Sequence, residues 1–196
     1  RPLEGHDEDA RGQIADRVGA RLQLEYLPAA ERQAAEAIAR SLAEDAVERV
    51  RRQLSLAIRQ ARHLPRDIAL KLAHDIDSVC CPFLETTEVF SDADWQQLVL
   101  TISRGARIAA ARRTSLSEGL ALALAELGDS VVAETLVDNP AAPMTKPVCM
   151  ALVERFDDAP WVIDKLSARD DLLIEVVVRL CDKVSGAARN RLLNRY

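Results

Sequence analysis

One pattern of about 26 residues recurs along the chain: an apolar anchor, a polar turn, an apolar residue and then a Pro or Ser that can start a helix. Because a unit this short cannot bury its own apolar face, neighbouring units must stack to form a continuous core. A looser copy, Leu166…Leu172-Leu173, follows 30 residues after the last regular one. The regular copies are Ile58…Leu64-Pro65, Leu84…Phe90-Ser91, Ala110…Leu116-Ser117 and Leu136…Ala142-Pro143.

The residue types in this pattern indicate two short helices per unit. Pro suits the first turn of a helix, where its missing N–H would be unpaired, and Ser accepts hydrogen bonds from free N–H groups there. A second series, Asp77, Ser103 and Asp129, also steps by 26 residues and predicts the N-caps of the other helix in each unit. The predicted helices are 12–25, 29–44, 46–61, 66–76, 78–86, 92–103, 105–113, 118–127, 130–138, 144–156, 160–168 and 173–184.

Composition agrees with an all-helical fold. Hydrophobic residues make up 48% of the 196 residues but aromatic residues only 4%, and strand-like Val/Ile/Thr runs are few. We therefore predict an all-α protein, an α-solenoid-like array of helix pairs or a compact helical array built on the same principle. The polar residues 1–11 are expected to form a disordered tail, and 12–196 a single helical-repeat domain.

The net charge and the hydropathy of the sequence disfavour two classes of function, nucleic-acid binding and membrane insertion. The net charge of −5 and the pI of about 5.3 disfavour a dedicated nucleic-acid-binding domain, which is usually basic. No apolar run approaches the roughly 20 residues that span a bilayer, and no secretory signal is visible. The four cysteines lack paired CxxC motifs, so reduced thiols in the cytoplasm are the simplest interpretation.

Several runs match one known family: 64–73, 75–79, 90–94, 108–113 and 123–129. These runs resemble the bacterial domain-of-unknown-function family DUF2336, which is similar to HEAT and leucine-rich-repeat-variant arrays. The resemblance implies a helical-repeat fold and no catalytic residues. At Cys80-Cys81 the sequence departs from the family, where small apolar residues are commoner, and it departs again at Trp95.

No catalytic, cofactor or metal motif stands out. Acidic residues recur at every unit junction, which favours helix capping over a single acid–base pair. The neighbouring Cys80 and Cys81 align with Val132 and Ala133 of a later unit and are expected to pack in the core as small hydrophobes. We therefore expect that the protein is not an enzyme and that it binds neither a cofactor nor a metal ion.

The basic residues and one tryptophan break the repeat and are the candidate partner-binding surface. Arg favours paired interface contacts, and an exposed Trp can anchor a partner. The alternatives are a solvated face with Asp–Arg pairs between repeats, and burial of the Trp against the next unit. The candidate residues are Arg51, Arg52, Arg59, Trp95, Arg104, Arg112 and Arg113.

This surface predicts a non-enzymatic protein–protein interaction or regulatory scaffold module whose partner presents an acidic surface. The end units of an array need polar caps or a partner, which also allows a homo-oligomer. A HEAT-like nucleic-acid-binding protein of the DNA-repair type is the alternative, supported by the clustered Arg residues alone.

Overall fold

The computed structural model describes residues 2–181 and 186–195. Within them the chain forms thirteen α-helices and no strand, which confirms the all-α prediction. The helices are α1 (Pro2–Leu22), α2 (Ala29–Ala43), α3 (Glu48–Ile58), α4 (Arg66–Ala73), α5 (Asp77–Leu84), α6 (Asp92–Thr101), α7 (Arg104–Ala111), α8 (Glu118–Leu127), α9 (Ser130–Asp138), α10 (Lys146–Arg155), α11 (Pro160–Ser167), α12 (Ile174–Cys181) and α13 (Gly186–Arg195).

The contacts between residues divide the chain into two compact units. Unit 1 comprises residues 1–91 and 101–109, and unit 2 comprises 92–100 and 110–196. In unit 1, α3 packs between α1 and α5, and α2 packs against α4. In unit 2, α10 packs between α8 and α12, while α11 contacts both α9 and α13. The helices α1 to α5 and α8 to α13 therefore each contact a helix two places away along the chain, inside their own unit.

The apolar stripes predicted from the sequence form the core of each unit. On α3, Val50, Leu54 and Ile58 are all buried. Two neighbouring phenylalanines of unit 1, Phe83 and Phe90, meet edge to face with ring centroids 6.3 Å apart. Among the described residues, no helix is both long and apolar enough to cross a membrane.

The helix caps follow the predicted pattern at most positions. Asp129 accepts hydrogen bonds from the backbone N–H groups of Val131 and Val132, and Ser117 accepts one from Leu120. Ser103 accepts one from the N–H of Ala106, at 3.0 Å. These three predicted caps are confirmed.

Two predicted helix starts are displaced. The helix α5 begins at Asp77 itself, its N-cap is Ile76, and the carboxylate of Asp77 is used between helices instead. The helix α10 begins three residues after Pro143, where Thr145 is the N-cap. Both residues therefore lie close to a helix start without capping it.

The amino-terminal segment differs from the predicted disordered tail over 1–11, because α1 runs from Pro2 to Leu22. Arg11 pairs with Asp7 one turn earlier, and its Nε lies 2.8 Å from a carboxylate oxygen of Asp45. These contacts give the polar residues a partner across the fold. At the other end, the predicted cap or tail over 185–196 contains α13.

The contact between α1 and α3 depends on a glycine. A Cβ added to Gly19 would lie 2.6 Å from the carbonyl oxygen of Ala57 and 2.7 Å from its carbonyl carbon. Backbone atoms cannot move aside locally, so a side chain here must push the two helices apart.

We expect Gly19→Ala to lower the free energy of unfolding by about 1–3 kcal/mol, since overpacking outweighs the gain in helix propensity. The matched control is Gly12→Ala on the same helix, where the neighbouring atoms belong to the flexible end of Gln53. That change should leave stability equal or raise it by up to about 1 kcal/mol. Urea unfolding followed by circular dichroism measures both, and equal effects of the two variants would contradict the close-packing argument.

Candidate functional site

Trp95 and Arg113 do not belong to an exposed surface. Their side chains lie in the interior of unit 2, at 3% and 4% exposure. The guanidinium carbon of Arg113 lies 5.3 Å from the centroid of the Trp95 ring, a cation–π distance. The face of the Trp95 ring stabilises the buried guanidinium charge of Arg113. This explains why an arginine, which usually faces solvent, is buried here. The prediction of Trp95 as a partner anchor is therefore corrected.

Arg51 is committed to an internal ion pair in unit 1. Its Nε and Nη2 donate to the two carboxylate oxygens of Asp75 at 2.7 and 2.9 Å, and its Nη1 donates to the carbonyl of Asp45 at 2.8 Å. Burial alone would raise the pKa of the Asp75 carboxyl, but hydrogen bonds from Arg51 and the N–H of Ile76 hold it below its ordinary value. Arg51 thus ties α3 to the end of α4, as expected for an Asp–Arg pair between repeats.

Arg52 and Arg59 remain at the surface of unit 1. Arg52 and Leu56 lie on α3, and Arg59 is the C-cap residue directly after it. The spacings of four and three residues place all three on the side opposite the buried stripe of α3. We call Arg52, Leu56 and Arg59 the α3 stripe. Arg52 is exposed, Leu56 is 40% exposed and Arg59 is half-buried. Within residues 2–181 and 186–195, neither arginine of the stripe forms an ion pair, whereas Arg49 pairs with Glu8 and Asp9.

The remaining two candidates belong to different units. Arg104 begins α7 and is exposed in unit 1, whereas Arg112 follows α7 and is exposed in unit 2. Of the predicted surface residues, Arg52 and Arg59 are consequently the two exposed or half-buried ones that lie on the same side of one helix.

A recurring contact between helix starts was missed in the sequence. In unit 1 the hydroxyl of Ser103 donates to Asp77 Oδ1 at 2.6 Å, and the Asp77 carboxylate lies against the Cα of Gly105, where a Cβ would come 2.5 Å from its Cγ. In unit 2 the hydroxyl of Ser117 donates to Asp92, whose Cγ would lie 2.6 Å from a Cβ on Gly119. The sequence feature that could have indicated these contacts is the Ser-x-Gly triplet, which occurs at 103–105 and at 117–119.

None of the four cysteines, all of which lie in the described part of the chain, is in a disulfide bond. Cys80 is fully buried, which confirms its predicted core packing, whereas Cys81, for which the same was predicted, is only half-buried. Cys149 is fully buried and Cys181 half-buried. Burial raises the pKa of Cys149 to about 12, and burial followed by the adjacent Cys81 raises that of Cys80 to about 12. Among the described residues, donor atoms of Asp77, Cys80 and Cys81 lie within 4.8 Å of one another, close enough to share a metal ion.

These features define a protein whose described residues form helices and no strand, and in which most helices contact a second neighbour along the chain within one of two units. The chain belongs to a family described as an uncharacterised protein conserved in bacteria (DUF2336), whose model matches residues 79–196. The match includes Cys80 and Cys81, whereas the α3 stripe and the resembling run 64–73 precede it. No curated protein and no solved structure matches the chain.

Proposed function

We propose that this chain is a non-enzymatic protein–protein interaction module, an α-solenoid-like array of helix pairs that binds an acidic partner. The α3 stripe is the observation that supports the proposal. Val50, Leu54 and Ile58 on the other side of α3 are fully buried, so the core of unit 1 lies on the side away from the stripe. Two arginines flank an exposed leucine there, the combination that interfaces favour in their contact residues.

Recurring contacts between helix starts support the repeat architecture. The N-cap hydroxyl of one helix donates to the acidic first residue of the helix two places before it. The pairs are Ser103 with Asp77, Ser117 with Asp92 and Thr145 with Glu118, each inside one unit. The same contact at successive steps is what an array of stacked helix pairs requires.

The chemistry of the stripe indicates the partner. Arg52 and Arg59 present planar guanidinium groups that suit carboxylates, and Leu56 lies between them as an apolar contact. The best complement is a protein segment that places an apolar side chain between two acidic ones. Such a segment would pair charges at the rim and exclude water at the centre.

The test compares proteins recovered by the wild-type chain and by Arg52→Glu/Arg59→Glu from a lysate of the native bacterium. The matched control is Arg17→Glu/Arg179→Glu, which reverses two exposed arginines elsewhere. We expect a protein whose recovery falls at least about tenfold with the stripe variant and not with the control, because each lost charge contact is worth about 1 kcal/mol or more at a desolvated interface.

Equal recovery of every protein by the stripe variant and the wild type would contradict the proposal. A DNA titration of both variants at two salt concentrations distinguishes the protein-binding proposal from the alternative of nucleic-acid binding. Salt-sensitive DNA affinity that disappears with the stripe variant would assign the stripe to nucleic acid instead.

A further inference from the structure

Three potential metal ligands converge at the start of α5. Asp77 is the first residue of this helix, and Cys80 and Cys81 follow three and four residues later, the spacings that place side chains on one helix face. One carboxylate oxygen and the two Sγ atoms lie within 4.8 Å of one another. Two sulfurs and one oxygen form a donor set that suits a thiophilic divalent ion.

The carboxylate of this cluster is held from a second element. Ser103 donates to Asp77 Oδ1, and Gly105 leaves the space that the carboxylate occupies. These two contacts fix the carboxylate of Asp77 while one of its oxygens lies within 4.8 Å of both Sγ atoms. Outer contacts of this kind orient the groups that bind a metal.

Unit 2 contains the same arrangement without the thiols. Asp92 is held by Ser117 and Gly119 as Asp77 is held by Ser103 and Gly105. The residues three and four places after Asp92 are Trp95 and Gln96 rather than cysteines. The carboxylate arrangement is therefore a shared structural feature, and the pair of thiols is what makes the site in unit 1 different.

Access to the cluster also fits a metal site. Asp77 is exposed and Cys81 half-buried, so an ion can reach the cluster from solvent, with the buried Cys80 as its inner ligand. Because a metal ion binds thiolates, its binding displaces the thiol protons.

We propose that Asp77, Cys80 and Cys81 form a binding site for a thiophilic divalent cation of the Zn²⁺ class. Binding breaks two S–H bonds, forms two sulfur–metal bonds and releases two protons to solvent, with no change of oxidation state. One carboxylate oxygen completes three protein donors, which leaves a tetrahedral ion one open position.

The test titrates the reduced full chain with Co²⁺ and Cd²⁺ and follows thiolate-to-metal charge-transfer absorption, with a pH indicator to count released protons. We expect one ion per chain and about two protons per ion. Cys81→Ser and Cys80→Ala should abolish the absorption band. Ser103→Ala should weaken affinity about tenfold or more through the loss of its outer contact, and Asp77→Asn by at least as much.

Two controls match the site closely. Asp92→Asn removes the carboxylate of the thiol-free arrangement, and Cys149→Ser removes another fully buried thiol with a similarly raised pKa. Both should bind metal as the wild type does. Absence of the band in the wild-type chain, its persistence in Cys81→Ser, or its equal loss in Cys149→Ser would each overturn the proposal. If the buried Cys80→Ala variant fails to fold by circular dichroism, Cys81→Ser and Asp77→Asn at the accessible positions still decide.

Discussion

Replacing Arg51 with methionine is expected to lower the free energy of unfolding by about 3–5 kcal/mol at pH 7, the range for removing one partner of a buried ion pair. The side chains of Arg51 and Asp75 are only 17% and 8% exposed. Methionine fills similar space but supplies no donors, so the Asp75 carboxylate loses both guanidinium hydrogen bonds. Urea unfolding of the two proteins followed by circular dichroism gives the difference.

The pH dependence of that difference identifies its cause. In the wild type, the lowered pKa of Asp75 contributes stability that is present above the unfolded pKa and lost as pH falls through the folded value. Without Arg51, burial dominates and raises that pKa, so the variant takes up a proton in mildly acidic solution and recovers stability. The difference in the free energy of unfolding between the wild type and Arg51→Met should therefore become smaller from pH 7 to about pH 4.5.

Arg49→Met is the matched control for this prediction. Arg49 lies two residues earlier on α3, and its ion pairs with Glu8 and Asp9 are at the surface, with its side chain 68% exposed. Exposed pairs contribute about 0–1 kcal/mol, so this variant should be nearly as stable as the wild type at both pH values. Equal losses in the two variants, or a gap for Arg51→Met that widens in acid, would contradict the buried-pair account.

The helices could be predicted from the sequence because their signals are local. Pro, Ser and Asp at helix starts and one apolar stripe per helix place the bounds of most elements to within a few residues, for example 118–127 and 130–138. Capping depends on one side chain and the N–H groups next to it, so Ser117 and Asp129 were assigned correctly. The solenoid-like arrangement of the helices stays a prediction.

The burial of long polar side chains could not be predicted in the same way. Arg113 is buried because the ring of Trp95, eighteen positions earlier, lies beside it, and no spacing rule links the two residues. Asp77 carries the residue type and period of a cap, yet its carboxylate contacts Ser103 and Gly105 of a later helix. Contacts across helices decided these positions, and they also placed Cys80, Cys81 and Asp77 together.

The position three residues after the apolar anchor differs between copies of the 26-residue repeat. The third residue after the first anchor is the apolar Ala61, but after the next four anchors it is polar. Two of these four polar side chains are buried and two are half-buried. Asn139 shows the purpose, since its amide donates to the carbonyls of Ala111 and Arg113 at 2.8 Å each and so serves the end of α7. The four polar residues at this position are Thr87, Arg113, Asn139 and Arg169.

Arg169 performs this role with the most hydrogen bonds, so its loss should be the most damaging in unit 2. Its guanidinium donates to the carbonyls of Val137, Asn139 and Ala142 at 2.9, 2.7 and 3.2 Å, and its side chain is 11% exposed. It also pairs with Asp171. A substitution would leave the end of α9 and the following turn without these donors.

We expect Arg169→Met to lower the free energy of unfolding by about 2–4 kcal/mol, because each buried carbonyl left unpaired costs about 1–3 kcal/mol and water replaces part of the loss. Arg169→Lys should recover only part of it, since one ammonium group cannot reproduce the planar fork that serves three carbonyls and a carboxylate. The control Arg179→Met changes an exposed arginine of α12 and should cost less than about 0.5 kcal/mol. Urea unfolding of the three variants decides the matter. A loss for Arg169→Met no larger than that for Arg179→Met would mean that the carbonyls find other donors, and that the polar residue after the four later anchors is not what joins successive helix pairs.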